Sequence, residues 1–143
     1  MSLELNPKIE IRSSPIEGQG LFALHAFKSG ERIQLVHGDA PEVLMSDKEF
    51  QAYIATVDSW DAVYMGNGTH KVSMVPRAEN PSNYGNHSCN PNTALDGNQR
   101  IVVRHIEPGD EITVDYSLHS PKNWSMVCHC GSPKCLGVVR GVL

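Results

Sequence analysis

The chain is 143 residues long, with 40% hydrophobic and 20% charged residues and a formal net charge of −4. These values are typical of one ordered globular domain with a modest core, and they exclude a disordered chain. An acidic chain without an apolar run of ~18 residues is not expected to bind duplex DNA directly or to span a membrane, but it would complement a basic peptide.

The N-terminal part of the chain alternates short apolar segments with turns. Residues 8–12 alternate polar and apolar side chains, as a half-buried strand does, and residues 21–27 form an apolar strand after a turn at 14–20. A second turn at 28–31 leads into a strand at 32–36.

One helix is predicted after residue 45. Ser46 can cap its N-terminus, and Glu49 stands three residues later, as a capping box requires. The residues that follow place four apolar side chains on one face, and residues 58–59 are expected to end the helix. These four are Phe50, Tyr53, Ile54 and Val57.

Hairpins are predicted in the second half of the chain. Residues 62–65 and 71–75 flank a glycine turn at 66–68, and residues 76–84 read as a loop.

A second hairpin is formed by 93–95 and 100–104 around a turn at 96–98. A strand at 111–115 follows, and residues 117–127 resemble a linker. Many short strands with one helix predict a mainly β domain.

Four cysteines form a cluster of three with one distant partner. Cys128, Cys130 and Cys135 have the spacing Cys-x-Cys-x4-Cys, and Cys89 lies far upstream. Four thiolates would make a closed tetrahedral zinc site if residue 89 folds back onto the tail. Unliganded or redox-active cysteines are the alternative reading. Disulfides are disfavoured because no signal peptide is visible, and we expect a soluble protein inside the cell, in the cytoplasm or nucleus.

Three motifs in order carry a family resemblance. They are Asn-His-Ser-Cys-Asn-Pro-Asn-Thr at 86–93, Asp-Glu-Ile-Thr-Val-Asp-Tyr at 110–116, and the cysteine cluster. With Gly-Gln-Gly-Leu-Phe-Ala at 18–23, the chain resembles the SET domain of protein lysine methyltransferases, over roughly residues 8–139. The resemblance implies a SET fold of several small sheets with one short helix and a knot-like crossing. It also implies a SET domain at 1–116, a zinc-bound post-SET tail at 117–143, and no pre-SET region.

The resemblance further implies a site for S-adenosylmethionine as methyl donor. Asn86 and His87 would contact the donor, and glycines would let the backbone of the motif at 18–23 approach it. Many family members have an arginine where this chain has Asn83. The expected donor-site residues are Gly18, Gln19, Gly20, Leu21, Asn83, Tyr84, Asn86, His87 and Leu136. For Leu136, ordinary packing of the tail is the alternative.

By the same resemblance, Tyr116 is the expected catalytic residue. Three further positions are expected along the channel for the substrate lysine: Tyr64, Val114 and Leu95. Core packing is the alternative role for Tyr64. The four cysteines, Cys89, Cys128, Cys130 and Cys135, are the expected Zn²⁺ ligands.

The predicted function is S-adenosylmethionine-dependent methylation of a lysine side chain in a protein partner, of which a histone tail is one candidate. Only neutral lysine can attack the methyl group, and we expect a narrow apolar channel to disfavour the ammonium form. Two alternatives are a catalytically weak SET-like module that binds a lysine-bearing peptide and a small zinc-stapled interaction domain. The sequence specifies neither the target lysine, nor the number of methyl groups added, nor the oligomeric state.

Overall fold

The computed structural model describes residues 3–38, 40–97 and 99–143. Within these residues the chain is mainly β, with fourteen short strands in six small sheets and a single α-helix. In chain order the elements are β1 (Glu4–Leu5), β2 (Ile9–Ser13), β3 (Gln19–Ala23), β4 (Arg32–Ile33), β5 (Val36–His37), β6 (Glu42–Ser46), α1 (Asp47–Ile54), β7 (Ala62–Tyr64), β8 (Thr69–Ser73), β9 (Asn86–His87), β10 (Thr93–Asp96), β11 (Gln99–Val102), β12 (Thr113–Val114), β13 (Ser125–Val127) and β14 (Val138–Arg140). Three 3₁₀ helices cover Arg77–Glu79, Pro81–Tyr84 and Tyr116–His119.

The sheets are mostly antiparallel and small. β2 pairs with β3, β1 with β5, and β13 with β14, while β10-β11-β4 and β6-β8-β7 form three-stranded sheets. The sixth sheet is parallel and joins β9 to β12. This pairing places the Asn-His pair beside the strand that leads into Tyr116. The mainly β class with one short helix is confirmed.

The hydrophobic core lies between β2, β3, β4 and β11. Leu21 and Ile106 are completely buried in it. The predicted strand at 21–27 ends at Ala23, and Phe27 reaches the core through an isolated bridge to Ile106 instead. Its other buried members are Ile9, Ala23, Ile33, Leu35, Val102 and Ile112.

The capped helix is confirmed, although it is shorter than its apolar pattern. Ser46 accepts a hydrogen bond from the N–H of Glu49, whose carboxylate accepts from the N–H of Ser46. The helix ends at Ile54, so Val57 lies beyond it, and Phe50 is its one buried residue. The Phe50 ring stacks on His70 of β8 at 4.1 Å, which fixes the helix against its sheet.

The predicted hairpin around 66–68 is present as β7 and β8. The second hairpin is present as β10 and β11, although Asn98 of its predicted turn lies outside the described residues. The strand predicted at 32–36 is divided into β4 and β5. Because short strands alternate with bends here, the periodicity of the sequence overestimates strand length.

The segment predicted as a linker, 117–127, is ordered by the C-terminus. It contains most of a 3₁₀ helix and β13, and β13 pairs with β14. The N–H of Val142 donates to the carbonyl of Ser117 at 3.0 Å. A Cβ at Gly141 would lie 2.0 Å from the carbonyl oxygen of Pro121, so only glycine lets the two backbones pass this closely.

Within the described residues, no helix is long and apolar enough to cross a membrane.

Candidate active site

Tyr116 lies where β12 ends and a 3₁₀ helix begins. Asp115 caps this helix by accepting the N–H of Ser117 at 2.9 Å. The Tyr116 hydroxyl donates to the carbonyl oxygen of Gly85, and the ring packs near Trp124 with 6.4 Å between centroids. Burial raises the pKa of Tyr116, and the charge of Arg100 opposes this effect. The phenol is therefore a neutral hydroxyl held at a defined position.

His87 is buried, with 3% of its surface exposed. Its Nδ1 accepts the backbone N–H of Tyr116 at 3.0 Å, and its Nε2 lies 3.5 Å from Sγ of Cys89. Burial lowers the pKa of His87, whereas the nearby Asp115 carboxylate raises it. The parallel pairing of β9 with β12 thus brings His87 directly against Tyr116, 29 residues later.

The side-chain amide of Asn86 holds the glycine motif at 18–23 in place. Its Nδ2 lies 3.1 Å from the carbonyl oxygens of both Glu17 and Gln19, and 2.8 Å from Oε2 of Glu111. Glu111 also accepts from the Ser14 hydroxyl, at 2.7 Å and 2.9 Å. Glu111 belongs to the motif at 110–116, but no role was predicted for it from the sequence, because no spacing rule links it to Asn86.

Protein contacts require glycine in the glycine motif. A Cβ at Gly20 would lie 2.2 Å from Oε2 of Glu111, so glycine is needed there to admit this carboxylate. Gly18 has φ +45°, in the left-handed region that favours glycine, and a Cβ there would meet open space. The backbone conformation, and not a lack of room, therefore favours glycine at this position. The Leu21 side chain is fully buried in the core, so only its backbone can face the site, whereas Gln19 is exposed.

The remaining expected donor-site residues are Asn83, Tyr84 and Leu136, and the last two are exposed. Asn83 and Tyr84 belong to the 3₁₀ helix Pro81–Tyr84, and Asn83 donates to the carbonyl of Arg77 at 2.9 Å. The Tyr84 side chain is exposed. Leu136 is 72% exposed, yet its backbone N–H donates to Sγ of Cys89 at 3.4 Å. The tail therefore presents an uncovered leucine beside the motif that contains His87.

The four cysteines meet at one point. Their four sulfur atoms all lie within 4.8 Å of one another, and Sγ of Cys89 is 3.8 Å from Sγ of Cys128. A tetrahedral zinc site with Zn–S near 2.3 Å places sulfurs about 3.8 Å apart, so the cluster fits this ion. Burial, ahead of the neighbouring thiols, raises the pKa of Cys128 to about 12. Four adjacent thiolates would therefore need a cation to balance their charge.

Tyr116 lines a cavity of about 620 Å³. Leu95, Val114 and Trp124 also line this cavity. Tyr64 does not line it. Its hydroxyl accepts the N–H of Gly68 at 2.9 Å, and its ring packs at 4.8 Å from His70, as core packing requires.

The cavity wall differs from the expected apolar channel because it includes the charged groups of Arg100 and Asp61 and the imidazole of His119. None of these three was predicted from the sequence as a site residue. Nε2 of His119 is buried and, among the described residues, has no hydrogen-bond partner. His119 follows Tyr116 by three positions on a 3₁₀ helix, a spacing that puts the two side chains on the same side of the helix. This spacing could have indicated His119 as a neighbour of Tyr116.

Comparison with known proteins places these motifs in one family. The SET domain family matches residues 18–117. Histone-lysine N-methyltransferase TRX1 of Oryza sativa subsp. japonica is 29% identical over 99% of this chain. Histone-lysine N-methyltransferase NSD3 of Mus musculus is 30% identical over 93% of it. The chain spans only 15% and 10% of the length of these two relatives.

The fold has a counterpart among solved structures. The crystal structure of PFL0690c from Plasmodium falciparum, described as a histone methyltransferase, superposes with a TM-score of 0.51 and 23% identity. The match covers 78% of this chain and 95% of that one. Since the family match includes the glycine motif, the Asn-His pair and Tyr116, the chain belongs to the SET domain family.

Proposed function

We propose that this protein transfers a methyl group from S-adenosylmethionine to the side-chain amine of a protein lysine. The observation that carries this proposal is the position of Tyr116. Its hydroxyl is held by the carbonyl of Gly85 in the wall of a large cavity, and its backbone N–H is bonded to His87 of the Asn-His pair. This position would let Tyr116 contact both a substrate side chain in the cavity and a donor held by the Asn-His pair.

The donor site is supported by an unpaired strand edge. Asn86 and His87 are 9% and 3% exposed, yet among the described residues β9 pairs on one edge only, with β12. Buried backbone N–H and C=O groups are almost always hydrogen-bonded, so this edge suits a ligand with its own polar edge, such as adenine. When bound, S-adenosylmethionine supplies a methyl group on a positively charged sulfur.

Residues around this edge would hold the donor. We propose contacts from the backbone of the glycine motif and from Asn83 and Tyr84. Leu136 would cover the adenine once the tail is fixed. The proposed set is Gly18, Gln19, Gly20, the backbone of Leu21, Asn83, Tyr84, Asn86, His87 and Leu136.

Tyr116 would orient the substrate amine. Because its hydroxyl proton is donated to Gly85, the lone pairs of its oxygen can accept an N–H from the incoming lysine. The lysine must first release a proton to solvent, which costs roughly 4 kcal/mol near pH 7.4 for an unperturbed amine. Its nitrogen then forms a bond to the methyl carbon as the carbon–sulfur bond breaks, and alignment of the two supplies much of the rate.

The cysteine cluster would hold Zn²⁺ and connect the tail to the site. Cys89 follows the Asn-His pair directly, whereas Cys128, Cys130 and Cys135 belong to the tail. An ion bound by all four would hold the tail, with Leu136 and Trp124, against the donor and the lysine.

The substrate is proposed to be a lysine-bearing protein, with a histone tail as the first candidate. The named relatives are histone-lysine N-methyltransferases, and the net charge of −4 complements a basic peptide. Location in the cell would then follow the substrate.

The test has two stages. Calorimetry should detect binding of S-adenosylhomocysteine, and label from tritiated S-adenosylmethionine should appear in recombinant core histones or in lysate proteins. Binding without label would favour the weak SET-like module. Absence of binding would reject the donor site and favour a zinc-stapled interaction domain.

A further inference from the structure

The described lining of the cavity around Tyr116 has an excess of positive charge, although the chain as a whole is negative. It carries five charged side chains: Lys71, Arg77, Arg100, Glu42 and Asp61. Lys71 lies 3.9 Å from Glu42, and these two charges offset each other. Two guanidinium groups and one carboxylate remain, so the excess among the described lining residues is one positive charge even with Asp61 ionised.

Arg100 differs from the other two cations of the lining in its hydrogen bonding. Arg77 donates to the carbonyl of Trp60 at 3.3 Å. The Arg100 guanidinium, by contrast, forms no hydrogen bond or ion pair within the part of the chain that the structure describes. Burial lowers the pKa of Arg100, but an arginine still keeps its proton at any physiological pH.

The Arg100 guanidinium lies beside Gly85 in the wall of the cavity. Its Nη2 is 3.7 Å from the position of a Cβ built on Gly85. Gly85 supplies the carbonyl that holds the Tyr116 hydroxyl. A fixed positive charge is thus placed next to the point where the substrate amine would arrive.

We propose that Arg100 selects the protonation state of the substrate: its unpaired guanidinium, in the wall of the cavity beside Tyr116, excludes the ammonium form of the incoming lysine and admits the neutral amine. This inference rests on the proposed function, because it concerns the amine that Tyr116 would receive. A like charge within a few ångströms disfavours the charged form of a titrating group, and each unit by which the amine pKa falls raises its neutral fraction about tenfold. The charge of Arg100 thus disfavours the ammonium form, an effect that was expected from an apolar channel.

The other titratable groups facing Arg100 do not reverse this effect. Burial, together with Arg100 itself, lowers the pKa of His119, which therefore adds no charge near neutral pH. Tyr116 is neutral because burial raises its pKa. The Glu111 carboxylate also raises the pKa of Tyr116, but by less than Arg100 lowers it.

Asp61 is the carboxylate that faces the cation. Burial raises its pKa, and the charges of Arg77 and Arg100 lower it. Removing its charge with Asp61→Asn should therefore act in the opposite direction to removal of Arg100.

The first experiment needs no substrate. Tyrosines labelled with ¹³C at Cζ are titrated by NMR in the wild type and in Arg100→Met, and Tyr116→Phe assigns the signal. Loss of a nearby cation destabilises the phenolate, so the pKa of Tyr116 should rise in Arg100→Met. Arg32→Met is the matched control, because it removes the same charge from an exposed arginine paired with Asp96. An identical Tyr116 titration in both variants would overturn the proposal.

The second experiment measures kcat against pH at saturating recombinant core histones, because kcat reports the pKa of the bound amine whereas kcat/KM reports that of the free amine. The wild type should rise from pH 7 to 9. Arg100→Met should be about tenfold lower at pH 7 and should approach the wild type by pH 9.5, because the amine pKa has moved up by about one unit. Arg100→Lys should restore the wild-type profile, and Asp61→Asn should move the rise to lower pH.

The outcomes separate the inference from the function on which it rests. A loss in Arg100→Met that is equal at every pH would indicate a structural role and reject the charge effect. If the wild type transfers no methyl group to the histones, that substrate proposal fails, and the tyrosine titration alone decides the role of Arg100.

Discussion

Tyr116 donates its backbone N–H to Nδ1 of His87 over 3.0 Å. A nitrogen that accepts this bond carries no proton, so the neutral imidazole holds its proton on Nε2. Nε2 lies 3.5 Å from Sγ of Cys89, and its N–H therefore points at the sulfur. One ring links the tyrosine to the cysteine cluster, and we expect disturbances at either end to reach the other.

Tyr116→Phe should lose most of its turnover and keep its fold. The variant retains the backbone bond to His87 and the ring contacts, and it removes the hydroxyl together with its bond to Gly85. We expect turnover to fall on the order of 10²-fold or more, with S-adenosylhomocysteine affinity almost unchanged and about 1 kcal/mol of stability lost. Tyr53→Phe, on the helix, is the control for loss of one hydroxyl. Near-normal activity in Tyr116→Phe would place the catalytic role elsewhere.

His87→Ala and Asn86→Ala should weaken donor binding. His87→Ala removes the acceptor for the Tyr116 N–H, and Asn86→Ala releases the glycine motif from Glu111. Calorimetry with S-adenosylhomocysteine should show weaker binding for both variants, while the exposed His105→Ala keeps wild-type affinity. Unchanged affinity in both variants would make the pair purely structural.

Gly20→Ala should destabilise the fold through a single steric contact. The new Cβ would lie 2.2 Å from Oε2 of Glu111 and 3.1 Å from Nδ2 of Asn86. Overpacking of this kind costs about 1–3 kcal/mol in free energy of unfolding, which urea denaturation can measure. Combining Gly20→Ala with Glu111→Ala should cost less than the sum of the two single changes. Strict additivity would show that the glycine and the carboxylate do not interact.

Zinc should be bound by all four cysteines. Metal analysis of freshly purified, reduced protein should find about one zinc per chain, with Zn–S near 2.3 Å. Cys130→Ser or Cys135→Ser should release the ion and lower activity by loosening the tail, whereas the β core of residues 8–116 stays folded. Cys89→Ser should act in the same way from the other side of the ion.

Two results would contradict the zinc prediction. Protein prepared without chelators that contains no zinc would reject the site. Full activity in the metal-free cysteine variants would instead reject its coupling to catalysis. Far-UV circular dichroism of these variants checks that the core remains folded.

Local chemistry was readable from the sequence. The capping box at Ser46 and Glu49 was predicted correctly because both partners lie within one helical turn. The three motifs indicated the family, and the family match confirms it, because each motif is a short run of residue types in a fixed order. The mainly β class likewise followed from short apolar segments separated by glycine turns.

The tertiary structure decided which distant residues meet. The parallel pairing of β9 with β12 puts His87 against Tyr116, and the returning tail brings Cys89 within reach of Cys128. The tertiary structure also leaves Tyr64 outside the lining of the cavity and brings Arg100 and Tyr116 together in that lining. Periodicity and spacing report only the faces and turns of one segment, whereas the charge of a cavity depends on side chains that several segments contribute. The sequence alone therefore determined the motifs and the family, and the packing of those segments decided the electrostatic character of the site.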